Sequence, residues 1–74
     1  MSQDPALNGK DLLQALKRLG FKTIRIRGSH HFVRHADGRS SVIPVHANET
    51  LGPGLMKSIL RQIKLTRADI NRVL

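Results

Sequence analysis

The hydrophobic pattern of this chain changes its period at Gly20, and that change limits the fold more than any other feature. Before it, leucines occupy positions 12, 13, 16 and 19, the spacing of one face of an α-helix. After it, residues 22–27 alternate polar and apolar side chains like a half-buried β-strand. We expect a helix that Asn8 caps and Gly20 ends. In the strand, Ile24 and Ile26 are expected to face the core and the polar residues to face water.

Two more strands are predicted after a break at residues 28–29, where a glycine and a serine follow each other. The second strand runs over about 30–35. An Asp-Gly pair at residues 37–38 then favours a hairpin turn into a third strand over about 41–45. The sequence therefore predicts three antiparallel strands after the first helix.

The C-terminal third has helical signals. Pro53 suits the first turn of a helix, because its missing N–H would be unpaired there. Apolar residues recur every four positions from Leu55, and basic residues occupy the other side. Thr66, with Asp69 three residues later, is typical of an N-cap and predicts a short last helix over 66–74.

The predicted fold class is α+β, with the order α-β-β-β-α, a three-stranded antiparallel sheet packed on two helices, and the short C-terminal helix. We expect one domain over residues 8–74 and a flexible N-terminal tail over residues 1–7. The chain has 74 residues with no cysteine, tryptophan or tyrosine. It can form no disulfide, and its small core predicts a thin margin of stability.

The charge of the chain indicates the kind of partner it binds. Thirteen Lys and Arg against five Asp and Glu give a net charge of +8, which suits a polyanion or an acidic protein surface. The sequence has no apolar run of 18 residues and no hydrophobic signal segment. We therefore expect a cytoplasmic protein that does not contact a membrane.

A histidine-rich segment, residues 28–35, is the main functional signal, because it holds three of the four histidines of the chain among arginines. Histidine gains or loses a proton near neutral pH, so such a cluster suits acid–base chemistry on a phosphodiester, which points to RNA. The acidic residues are scattered without ligand spacing. We therefore expect neither a metal site nor a small-molecule cofactor.

The pairing of the second and third strands decides what stands beside His30, and the sequence allows two registers. In the first, which we favour, His30 faces His46, the side chains of Val33, Ile43 and Val45 form an apolar core face, and Phe32 stays open for base stacking. In the second, which a two-residue Asp-Gly loop would give, His30 pairs with Val45 instead.

Several motifs together resemble the HicA family of bacterial toxins over residues 10–65. They occur in the family's order and are Gly28–His31, His35–Arg39, Val42–His46, Leu51–Gly54 and Ser58–Gln62. The resemblance implies a fold like that of double-stranded-RNA-binding domains, an mRNA-cleaving ribonuclease activity, and a HicB-type antitoxin that holds the toxin inactive. The family's functional histidine follows Gly-Ser, which is His30 here.

The candidate site residues fall into two groups. His30 is the first candidate for the catalytic acid or base, and His46 is the second. The candidates for contacts with RNA, mainly through phosphate, are Arg25, Arg27, Gly28, Ser29, Arg34, Lys57 and Arg61. For each group a structural explanation also stands, because glycine and serine commonly form turns and a basic helix face is commonly only solvated.

Three functions are consistent with these features. The first is a metal-independent ribonuclease of the toxin type that cleaves mRNA with a histidine acid or base. The second is a non-catalytic RNA-binding module of the double-stranded-RNA-binding-domain type. The third, which overlaps with the first, is a chain whose main task is to bind an acidic partner protein. RNA cleavage in the presence of a chelator separates the first from the second.

Overall fold

The computed structural model describes residues 4–74 as one three-stranded antiparallel sheet, in the order β1-β2-β3, with three helices. The elements are α1 (Gly9–Arg18), β1 (Phe21–Arg27), β2 (His30–His35), β3 (Ser40–Pro44), α2 (Pro53–Gln62) and α3 (Arg67–Arg72). The predicted α+β fold and the short last helix are confirmed. No helix within residues 4–74 combines the length and the apolar character that a membrane span needs.

Local capping residues define the ends of α1 and α3. The Asn8 side chain accepts a hydrogen bond from the Asp11 N–H at 2.8 Å, and the Asp11 carboxylate accepts one from the Asn8 N–H at 3.4 Å. Thr66 and Asp69 make the same reciprocal pair at the start of α3. Gly20 takes a φ of 95°, the left-handed conformation that ends the first helical segment. Both predicted caps are confirmed.

The β2–β3 hairpin differs from both predicted registers. His30 pairs with Pro44, rather than with His46 or Val45. The turn between the strands has three residues, 36–38, because Gly38 takes a φ of 99° and its N–H donates to the His35 carbonyl at 2.9 Å. A three-residue loop commonly ends on a glycine in this left-handed conformation. The third loop residue shifts the pairing of β2 and β3 away from the register that a two-residue loop would give.

The side chains nevertheless lie on the faces of the sheet that the favoured register predicts. The observed register differs from it by an even number of residues, and side chains alternate with a period of two, so the two faces are unchanged. Val33 and Ile43 are buried in the core. Phe32 and Val42 pair with each other and lie outside the core cluster.

A β-bulge divides β1 and overturns one prediction. Thr23 pairs with Val33, but the next paired residue is Arg25, which faces Phe32, so Ile24 is the extra residue. Ile24 is 59% exposed and Ile26 is 61% exposed. The prediction that these isoleucines face the core is wrong: Ile24 is the extra residue of the bulge, and Ile26, which pairs with His31 near the end of the strand, remains exposed. Phe21, at the start of β1, provides the buried residue instead.

The core lies between the helices and one face of the sheet. Its fully buried large side chains are Leu12, Leu16, Phe21, Val33, Ile43, Ile63 and Ile70. Leu7 also belongs to this core, and its carbonyl accepts a hydrogen bond from the Leu51 N–H at 2.7 Å. The packed region therefore begins before residue 8, inside the predicted tail; residues 1–3 of that tail lie outside the described residues.

Candidate active site

His30 opens β2 at one end of the sheet, where its side chain is exposed. It follows the two-residue turn Gly28-Ser29, in which Gly28 takes a φ of 58° that favours glycine. Its strand partners are Arg27 of β1 and Pro44 of β3. Directly opposed residues have Cβ atoms about 5 Å apart. The fold thus puts an imidazole beside an exposed guanidinium at an open end of the sheet.

His46 lies near the same end, but it does not face His30 as the favoured register predicted. It stands two residues beyond Pro44, the observed partner of His30. The Val45 N–H donates to the Ser29 carbonyl at 2.7 Å and so holds the chain beside the turn. As a result, the Nε2 atom of His46 lies 3.4 Å from the Ser29 hydroxyl oxygen.

Glu49 approaches the other nitrogen of the same ring. The Nδ1 atom of His46 lies 3.9 Å from a Glu49 carboxylate oxygen. The Glu49 N–H donates to the His46 carbonyl at 3.2 Å, and Asn48 takes a φ of 61° between them, which turns the chain back toward the ring. Ser29, His46 and Glu49 therefore form a short row of polar groups, although both the histidine and the glutamate are largely exposed.

A shallow cavity of about 290 Å³ adjoins His46 and reaches the start of α2. Pro44, Glu49 and Gly52 contribute to its lining. The first turn of α2 has no acidic residue, and Gly52 provides no side-chain cap. The positive end of this helix therefore borders the same cavity as the His46 imidazole and Glu49.

The open face of the sheet carries three of the predicted cationic contacts. Arg25, Arg27 and Arg34 are all exposed. The first two lie opposite Phe32 and His30, and Arg34 lies farther along β2. The Arg25 guanidinium carbon is 5.8 Å from the centre of the Phe32 ring, within range of a cation–π contact. The predicted residues of β1 and β2 therefore share one surface with His30.

Lys57 and Arg61 are placed elsewhere. Both are exposed residues of α2, and the apolar side of that helix packs into the core on the other face of the sheet. Lys57 lines a different cavity, of about 350 Å³, together with Arg67. The structure therefore does not bring these two cations together with the arginines of the open face.

The remaining histidines have structural surroundings. His31 pairs with Ile26 and Ile43, on the face of the sheet that carries the core. The ring of His35 contacts that of Phe21 edge-on, with 5.0 Å between the ring centres, and its Nδ1 atom accepts from the Asp37 N–H at 3.1 Å.

Asp37 fixes the turn that follows His35. The backbone N–H of Arg39 donates to its carboxylate and lowers the pKa of Asp37 below the usual value, with the Arg39 side chain acting in the same direction. The charged form of the aspartate is therefore the one that stabilises the turn.

Two residues near the site were not singled out by the sequence patterns. Glu49 appeared only as one of several scattered acids, because its approach to His46 depends on the positive φ of Asn48. Gly9 is the first residue of α1, and a Cβ atom built there would lie 2.1 Å from the Pro44 carbonyl oxygen. A glycine one residue after an N-cap is the signal that indicates such a close approach.

Comparison with protein-family models matches residues 9–65 to the family described as the HicA toxin of bacterial toxin-antitoxin. The match covers more than half of the chain and includes the sheet, α2 and both histidines of the site. A search of curated proteins finds no match to this chain. Within residues 4–74, no three His, Asp or Glu side chains gather in the way that a metal ion requires.

Proposed function

Since this chain belongs to the HicA family of bacterial toxins, we propose that it is a toxin that cleaves RNA with a histidine acid–base mechanism and no metal ion. The family places it in a toxin–antitoxin system, and membership implies an antitoxin of the HicB type as its partner. The proposed substrate is mRNA. The rest of the proposal concerns the chemistry and the residues that perform it.

The observation that carries the proposal is the exposed imidazole of His30 beside Arg27 at the open end of the sheet. RNA cleavage by its own 2′-hydroxyl needs a base for that hydroxyl, an acid for the departing 5′-oxygen, and positive charge for the phosphorane oxygens. His30 supplies the acid or the base. Arg27 supplies charge where the phosphate oxygens become more negative, and its planar guanidinium can hold two of them.

His46 is the candidate for the second proton-transfer group. Its contact with the Ser29 hydroxyl at 3.4 Å holds the ring near the turn that leads into His30. One histidine cannot act as acid and base in the same step, so a second group at this end of the sheet completes the reaction. The Ser29 hydroxyl and the backbone N–H of Gly28, where no side chain blocks the approach, are the proposed hydrogen-bond donors to the phosphate.

The test is RNA cleavage by the purified chain in the presence of a chelator. We expect the wild-type chain to cleave, and His30→Ala to lower the rate by about 10²- to 10⁴-fold, the usual contribution of a general acid or base. We expect His46→Ala to lower it as well. His31→Gln is the matched control, because that neighbouring histidine lies on the opposite face of the sheet, and it should keep the wild-type rate.

The pH dependence of the cleavage rate tests whether His30 and His46 act as separate acid and base. Two histidines acting as acid and base give a bell-shaped profile, whereas a single one gives one limb. We expect a bell for the wild-type chain and the loss of one limb in His46→Ala. Wild-type activity in His30→Ala would disprove the mechanism. RNA binding without any cleavage by the wild-type chain would indicate the non-catalytic RNA-binding module instead.

A further inference from the structure

Phe32 is a large aromatic residue on the side of the sheet that the core does not use. It lies in the middle of the central strand, opposite Arg25 on one side and Val42 on the other. It does not belong to the core cluster, and its side chain is partly exposed. An aromatic ring that stays partly exposed outside the core is available for contact with a ligand.

The bulge in β1 determines which residue covers this ring. Before the bulge Thr23 faces Val33, and an unbroken strand would continue by placing Ile24 opposite Phe32. The bulge instead places Arg25 there, with its guanidinium 5.8 Å from the ring centre. Bulges often redirect a side chain beside a functional site. Here the bulge replaces an apolar contact with a planar cation over an aromatic ring.

The position of this pair relative to His30 matches the dimensions of a nucleotide. His30 and Phe32 are two residues apart on one strand, so they share a face and stand about 7 Å apart. A single nucleotide can span that distance between its phosphate and its base. Arg27 lies opposite His30 just as Arg25 lies opposite Phe32.

We propose that Arg25 and Phe32 form a nucleobase-binding site, which receives the base next to the phosphodiester that lies at His30. This proposal rests on the proposed function for the identity of that phosphodiester. Single-stranded nucleic acids are commonly bound by stacking bases on aromatic rings or arginine planes, and such stacking accepts any base because every base has a π-face. The pair therefore positions RNA without requiring a fixed sequence.

Short RNAs that lack one base test the proposal. In single-turnover cleavage by the wild-type chain, removing the base beside the cleaved link should lower the rate about 5- to 150-fold, the worth of one stacked base. In Phe32→Leu the intact and the abasic RNA should be cleaved at the same rate. Phe32→Tyr keeps the aromatic ring and should keep the difference in cleavage rate between intact and abasic RNA. A thermal melt of each variant establishes that it is folded.

Arginine substitutions separate the plane of the guanidinium from its charge. Arg25→Lys keeps the positive charge but loses the plane, so it should reduce the difference between intact and abasic RNA. Arg27→Lys is the matched control on the same strand and should retain that difference, even where its overall rate falls. A full abasic penalty in folded Phe32→Leu would overturn the proposal.

A binding measurement keeps this proposal separate from the proposed function. In His30→Ala, the affinities for intact and abasic RNA are compared without cleavage, with and without the additional Phe32→Leu change. We expect the base to strengthen binding in His30→Ala alone and to have no effect in the double variant. If the wild-type chain does not cleave RNA, this experiment still decides whether Phe32 binds a base, and equal base dependence in both proteins would refute it.

Discussion

At the scale of single residues, the missing side chain of Gly9 lets α1 begin directly against the end of β3. The Pro44 carbonyl occupies the space that a Cβ atom would need. Pro44 pairs with His30 and precedes His46 by two residues. The same close approach that anchors the helix therefore also sets the position of the site.

Gly9→Ala is expected to destabilise the protein and disturb the site together. The added methyl group would lie 2.1 Å from a backbone oxygen, so α1 and the 44–46 segment must move apart. Overpacking of this kind costs on the order of 1–3 kcal/mol of unfolding free energy. Urea unfolding measures that loss, and RNA cleavage under conditions where the variant stays folded should also be slower.

Gly54→Ala is the matched control for this substitution. Gly54 lies in α2, and a Cβ atom built there meets nothing within 4 Å. The change reduces the freedom of the unfolded chain and should stabilise the protein by about 0.4–1 kcal/mol. If Gly9→Ala were as stable as Gly54→Ala, the close contact between α1 and β3 would not hold in solution.

At the scale of elements, the sequence predicts helices better than it predicts strand pairing. Helix ends depend on local hydrogen bonds, so Asn8 and Thr66 could be identified as caps from their neighbours alone. The register of β2 and β3 depends on whether Gly38 ends a two-residue or a three-residue loop, and an Asp-Gly pair is compatible with both. The alternation in β1 likewise gave no sign of the bulge at Ile24.

The candidate site was predictable to a similar degree. The motif around His30, together with the register that we favoured, predicted an exposed imidazole on the open face, and His30 is exposed. The contacts of Ser29 with His46 and of Arg25 with Phe32 were not predictable, because each depends on register between separate strands. A shift of two residues changes which side chains are neighbours without changing which side chains share a face.

The cap of α3 makes a prediction about acid unfolding. The Thr66 backbone N–H, and next its hydroxyl, lower the pKa of Asp69 below the ordinary aspartate value. A carboxylate with a depressed folded-state pKa stabilises the protein above its unfolded pKa, and this contribution is lost as the pH falls through the folded pKa. Asp69→Asn should therefore be less stable than wild type at neutral pH, with a difference in Tm that shrinks between about pH 5 and pH 2.

Arg72→Gln separates the cap from the nearby ion pair. Arg72 lies 3.6 Å from the Asp69 carboxylate, but its charge lowers the pKa less than the hydrogen bonds from Thr66 do. This variant should keep most of the pH dependence of wild type. A difference between wild type and Asp69→Asn that stays constant over the whole range would contradict the cap as its source.

At the scale of the whole molecule, six of the thirteen Lys and Arg residues that give the charge of +8 lie on two surfaces. One is the open face of the sheet with Arg25, Arg27 and Arg34. The other is the exposed side of α2 with Lys57 and Arg61, followed by Lys64 just beyond the end of the helix. An acidic antitoxin that covers either surface would relieve the repulsion among these charges. A partner that binds only the folded toxin also stabilises it, by about 2.7 kcal/mol at a hundredfold excess over Kd.

The salt dependence of RNA binding identifies the protein surface that the RNA contacts. Each phosphate contact adds about 0.7 to the slope of log K against log salt for a single strand. With His30→Ala as the background, replacing the three arginines of the open face by glutamine should reduce the slope by about 2. Replacing Lys57, Arg61 and Lys64 by glutamine removes the same charge and should leave the slope unchanged, because α2 packs against the core on the other face of the sheet from His30. An equal reduction by both triple variants would mean that the strand continues from the sheet onto α2.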